Sequence, residues 1–161
     1  MPALQNSSPP HEHAASARLA KRAAAEAIGI DEAFISTMVE RFYAAIRADD
    51  VLGPIFAERI ADWPSHLARM KQFWRSVLHN SGKFSGNPMV KHIAIPGLTE
   101  AHFSRWLELF YANLRQLSAH PPAVQLVGDR ARMIADSLLT GIAINREGIG
   151  GAKEGRNLPH V

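Results

Sequence analysis

Apolar residues return at every third or fourth position along four stretches of the chain, and each such stretch predicts an amphipathic helix. The first is capped by Asp31 and runs to about Ala48, with Phe34, Ile35, Met38, Val39, Phe42, Tyr43 and Ile46 on one broad face. The second follows Asp62, admits Pro64 in its first turn, and places Met70, Phe73, Trp74 and Val77 on one stripe with His66. Thr99 opens the third, which reaches about Leu117 and groups Phe103, Trp106, Leu107, Phe110, Leu114 and Leu117 before His120-Pro121-Pro122 ends it. The fourth extends from about Ala123 to Ile142 through Val124, Val127, Ala131, Ile134 and Leu138. There is no convincing strand pattern and no internal repeat, so the expected fold class is all-α.

The connections are as informative as the helices. Residues 49–60, DDVLGPIFAERI, contain Gly53-Pro54 and are too broken for a long helix; Phe56 is their large apolar residue. After Leu78 a loop, HNSGKFSGN, leads to a short segment in which Asn87 can cap, Pro88 takes the first helical position, His92 lies near the end and Pro96 stops the run. Isolated helices under roughly 12 residues are marginal in water, so something beyond local propensity must hold this one. Packing against a neighbouring helix is one means, and a bond from His92 to a bound group is another. The first sixteen residues suggest a mobile arm, and Arg18 to Ala27 a weakly docked, alanine-faced helix. The glycine-rich end, NREGIGGAKEGRNLPHV, is expected to be unstructured. The expected division is an arm over residues 1–30, one domain over 31–143 and a disordered tail over 144–161.

Composition narrows the chemistry. A chain of 161 residues, 47% hydrophobic and 20% charged, suits one domain with a full core. No run approaches the roughly 18 apolar residues of a membrane span, and MPALQNSSPPHEHAAS lacks the apolar centre of a secretory signal, so a cytoplasmic location is expected. The absence of cysteine removes disulfides, thiolate metal sites, iron–sulfur clusters and covalent c-type haem, leaving non-covalent cofactors or those held by nitrogen and oxygen. The formal charge of +3 is mild and its cations are scattered among acids, which argues against nucleic acid as a partner. There is no H-E-x-x-H, no Walker-type phosphate loop and no G-x-S-x-G elbow.

Three polar tips lie inside the apolar stripes: Tyr43, His66 and Trp106. A buried donor without a partner costs about 1–3 kcal/mol, and each of these, taken singly, could reach a backbone carbonyl or the surface. Three together, facing the nitrogen base of His92, point to a lined cavity. Met89 lies three residues before His92 and shares its direction, so the two are not a pair of opposed axial ligands. One protein nitrogen on one side and a lined cavity on the other suit a ligand-binding haem.

The runs FYAAIRADDVLGPIF, WPSHLARMKQFWRSVL and GKFSGNPMVKHIAIPGLTEAHFSRWLELF, in that order, resemble the truncated haemoglobins, and among them the third group, over roughly Ile35 to Leu139. The resemblance implies a two-over-two helical sandwich around non-covalent haem b. It makes His92 the proximal iron ligand and Tyr43, His66 and Trp106 the distal set, with His66 as a gate or proton shuttle kept neutral by its helix N-terminus. Phe56 would pack on the porphyrin, with Met70, Phe73, Trp74, Met89, Ile93 and Phe103 at apolar wall positions. Arg69 and Lys91 would meet either the haem propionates or solvent. Two features depart from the wider family: its glycine pairs are missing, and Phe84 stands where relatives can show tyrosine. The implied function is reversible binding of O₂, NO and CO, extending to nitric oxide detoxification or peroxidase-like chemistry. No flavin or nicotinamide motif is present, so turnover would need a separate reductase. The competing reading is a haem-free module of the same shape that works through partner contacts.

Overall fold

The computed structural model describes residues 9–148 and 157–161, and every regular element within them is helical. In chain order these are α1 (Pro10–Ala27), α2 (Glu32–Ala48), α3 (Leu52–Arg59), α4 (Trp63–His79), α5 (Pro88–Ile93), α6 (Glu100–Leu117) and α7 (Pro121–Glu147). Helix α2 packs on α4, α6 packs on α7, and α2 crosses α6, which joins the two pairs. The short elements are satellites: α3 docks on α2, and α5 docks on α7. Among the described residues no helix is long and apolar enough to cross a membrane.

The caps predicted from sequence satisfy backbone donors that a helix start leaves free. Asp31 accepts from the Phe34 N–H at 2.8 Å, and Asp62 accepts from the N–H and hydroxyl of Ser65 at 3.2 and 2.7 Å. Asn87 accepts from the Val90 N–H at 3.2 Å, which stabilises the start of α5. Between the layers, Ile35, Met38, Phe42 and Ile46 meet Leu107, Phe110 and Leu114 in a fully buried core. The buried Asn113 amide donates to the Met38 carbonyl at 3.0 Å, so a polar group also ties α6 to α2. At the far end of α2, Asp49 receives three bonds from Arg105, one of them from Nη2 and a forked pair from Nε, and that guanidinium pulls its carboxyl down to about 2. Gly53 lets α3 start flush against α2, because a Cβ there would stand 2.9 Å from the Arg47 carbonyl.

Three boundaries differ from the sequence expectation. Helix α1 begins at Pro10 and not at Arg18; only Ala25 of it is buried, so its first half has no apolar period to read. Pro121 and Pro122 are the opening residues of α7 and do not merely terminate α6, since the first turn of a helix has no use for their missing N–H groups. The tail expected to be disordered is a correction: residues 144–147 continue α7, and residues 157–161 are packed onto the fold. Leu158 is 2% exposed, the Tyr111 hydroxyl donates to the Pro159 carbonyl at 2.7 Å, and Val161 lies against Gly128, which has no Cβ to exclude it. These partners are distant in sequence, so no local pattern announces them. Residues 1–8 of the expected arm and 149–156 of the expected tail lie outside the described residues. Leu158→Ala is expected to lower stability by about 2–4 kcal/mol in urea unfolding; an unchanged midpoint would show that the segment is not anchored through this side chain.

Candidate functional site: His66, His92 and their surroundings

His92 stands near the end of a six-residue helix, yet its ring is fixed. Its Nδ1 is 2.6 Å from the Pro88 carbonyl oxygen, and because a carbonyl only accepts, Nδ1 carries the proton. Nε2 is therefore left with its lone pair, the tautomer and restraint that metal-bound histidines use. Packing as well as capping holds α5 in place. The Met89 thioether occupies the space where a side chain at Gly141 of α7 would begin, so the short helix sits close against the long one.

A second group of polar and aromatic residues lies on α2 and α4. Tyr43 is buried, with its ring edge-on to Phe42 and His66 at 5.1 Å and to Phe56 at 5.9 Å. Burial pushes the phenol's ionisation well up, so the group is a hydroxyl donor throughout the physiological range. His66 Nε2 is buried and has no hydrogen-bond partner among the described residues. Burial first, then the charges of Lys91 and Arg69, draw the His66 imidazole below its ordinary value of 6.5. The neutral form expected from sequence is thus favoured, although by burial and two cations and not chiefly by the helix dipole. The influence of Lys91, the neighbour of His92, brings α5 opposite the start of α4.

A histidine whose folded value is lowered makes the unfolded chain the better proton acceptor, so its contribution to stability is present above pH 6.5 and declines as pH falls below it. The His66 ring protons are expected to titrate in NMR below 6.5. A midpoint at or above that value would mean that the ring is solvated and free of the two cations.

Trp106 is held by a stack of rings. It lies over Phe110 at 5.5 Å and 12°, Phe110 lies over Trp74 at 5.1 Å and 19°, and Phe42 meets Trp106 edge-on at 5.3 Å. Trp74 accordingly sits in the core behind the indole, 3% exposed. Phe73 touches Trp74 and Phe84 at 5.7 and 5.2 Å; Phe103 is buried, while Phe56, Met70 and Ile93 are half-buried. Arg69 and Lys91 are exposed, and among the described residues neither is paired with a carboxylate. The Arg69 guanidinium lies 6.0 Å from the Phe84 ring centre.

Sequence reasoning missed Trp63. Its ring is edge-on to His66 at 5.7 Å, 6.1 Å from Tyr43, and covered by the Arg47 guanidinium at 4.5 Å. The signal was present, since Trp63 precedes His66 by three residues in W-P-S-H and so shares its helix face.

The residues present fit a haem. Among the described residues no three or more His, Asp or Glu side chains gather into a cage for a bare ion. A porphyrin brings four nitrogens of its own and asks the chain for one, which His92 Nε2 can supply. The unpartnered His66 nitrogen, the aromatic walls and two unpaired cations suit a flat, largely apolar group with anionic edges.

Comparison with known proteins gives a consistent result. Residues 23–137 match the model of a family described as bacterial-like globin. The chain is 33% identical over 110 residues to Group 3 truncated hemoglobin ctb of Campylobacter jejuni subsp. jejuni serotype O:2, a stretch covering 66% of this chain and 86% of that protein. The fold matches the crystal structure of a group III truncated hemoglobin from Campylobacter jejuni with a TM-score of 0.64 and 32% identity, covering 68% of this chain and 88% of the other.

Proposed function

The chain belongs to the bacterial-like globin family, among the group 3 truncated haemoglobins, and from that membership we propose that it carries non-covalent haem b between α4 and α5 and binds O₂, CO and NO there. The observation that most supports this reading is a pair of imidazoles: His92 with its tautomer fixed by Pro88, and His66 with a buried nitrogen that has no partner among the described residues.

When bound, haem would supply an iron able to take up a diatomic gas. His92 Nε2 is the proximal donor, and its Nδ1–H bond to Pro88 orients the ring and raises its basicity. Tyr43 O–H and Trp106 N–H donate to the ligand, and Phe56, Met70, Phe73, Ile93 and Phe103 exclude water. Arg69 and Lys91 meet the propionates. Met89 and Trp74 act from behind, the first by seating α5 on α7 and the second by stacking behind Trp106 through Phe110.

Donors around the ligand slow its escape, which favours chemistry on nitric oxide or peroxide over oxygen delivery. In that chemistry neutral His66 gates entry or carries a proton, and a separate reductase restores the starting state. The test is a visible spectrum of the chain after haemin is added, reduced and exposed to CO and then O₂, followed by stopped-flow mixing of the oxygenated protein with nitric oxide. A Soret band that shifts with each gas is expected. A chain that stays colourless would favour the haem-free module.

A further inference from the structure

A second cavity, of about 450 Å³, opens between α1, the start of α2, the end of α4 and the loop that follows it. Its wall carries Arg18 and Arg22 of α1, Arg75 and His79 of α4, and Lys83 of the loop, against the single carboxylate of Glu32. The cations are unevenly answered. Arg75 is bonded to Glu32 at 2.6 Å and Arg22 to Glu26 at 2.7 Å, whereas Arg18 and Lys83 have no carboxylate partner among the described residues. The Arg18 guanidinium is laid against the loop at Gly82, 3.3 Å from where a Cβ would stand, at a φ of +68° that glycine adopts freely. His79 is 3% exposed and donates Nε2–H to the Ile30 carbonyl at 2.7 Å, so its Nδ1 is an acceptor; that atom is buried and has no partner among the described residues.

We propose that this cavity binds a small phosphorylated anion, with Arg18 and Lys83 engaging the phosphoryl oxygens. A guanidinium fork beside an ammonium matches phosphoryl geometry, and two unneutralised cations call for a dianion. The volume exceeds that of a bare phosphate and lies within the range of small-molecule sites, which leaves room for a sugar-sized body. Arg18 and Arg22 lie before the segment matched to the family, residues 23–137. Occupancy would bridge α1 to the loop and hold a helix that otherwise buries only Ala25.

The test is calorimetric titration of the haem-loaded full chain with ribose 5-phosphate and with inorganic phosphate, repeated on Arg18→Gln and Lys83→Gln, with hydrogen exchange along α1. Saturable binding is expected, weakened roughly tenfold or more in each variant, with slower exchange in α1 when the ligand is present and an unaltered Soret band. Binding of phosphate as tight as that of the ester would place recognition in the phosphoryl group alone and assign the site to the free ion. The proposal is overturned if neither probe gives saturable heat at millimolar concentration, or if both variants, shown by circular dichroism to be folded, bind as the parent does.

Discussion

His92→Ala is expected to abolish stable haem retention while leaving the helical fold intact. The two outcomes separate because of how α5 is built. Its start is stabilised by the Asn87 cap and its flank by Met89 against Gly141, neither of which uses the imidazole. What the fold loses is the Nδ1–H bond to Pro88, worth about 0.5–1.5 kcal/mol, against a domain stability of roughly 5–15 kcal/mol. What the proposed haem site would lose is the nitrogen assigned to hold the iron. Circular dichroism should therefore be unchanged, while the Soret band is missing or haem passes rapidly to an added apoglobin. A second variant, His92→Gly, leaves a space that free imidazole can fill, and imidazole should restore the band. Undiminished haem retention by His92→Ala would overturn the axial assignment.

The parts of the site carried by amphipathic helices were legible because burial and spacing coincide there. Tyr43, His66 and Trp106 sit on apolar stripes, and Asn87, Pro88 and Pro96 bracket a helix too short to stand alone, so the elements that carry these residues could be located from spacing. Their naming as proximal and distal came from the family resemblance and not from spacing. Two kinds of feature escaped. Trp63 sits at a helix start, where the signals of Asp62 and Pro64 dominated the reading and its contacts with Arg47 and Tyr43 come from another helix. Leu158, Pro159 and Val161 follow a glycine-rich run, and their anchors, Arg132, Tyr111 and Gly128 in turn, are far away in sequence. Helix α1 shows the converse: propensity without a buried face makes a helix whose limits no periodicity marks.

Tyr43→Phe should leave haem in place and hasten the escape of O₂. The substitution removes one oxygen and keeps a ring that Phe42, Phe56, Trp63 and His66 surround, so packing is nearly conserved. Burial raises the phenol's ionisation, which means that its donor is present at every physiological pH and that the effect of losing it should not vary with pH. One hydrogen bond to a partly charged acceptor contributes about 1.5–3 kcal/mol, so dissociation is expected to quicken roughly ten- to a hundredfold. CO presents a less charged outer atom, and its release should change much less, which separates a lost bond from a widened cleft. Trp106→Phe supplies the second arm: donors that act independently on the ligand give additive effects in the double variant, whereas a shared network does not. An O₂ release rate unmoved by Tyr43→Phe would take the phenol out of the distal set and leave Trp106 and His66 as the groups that face the ligand.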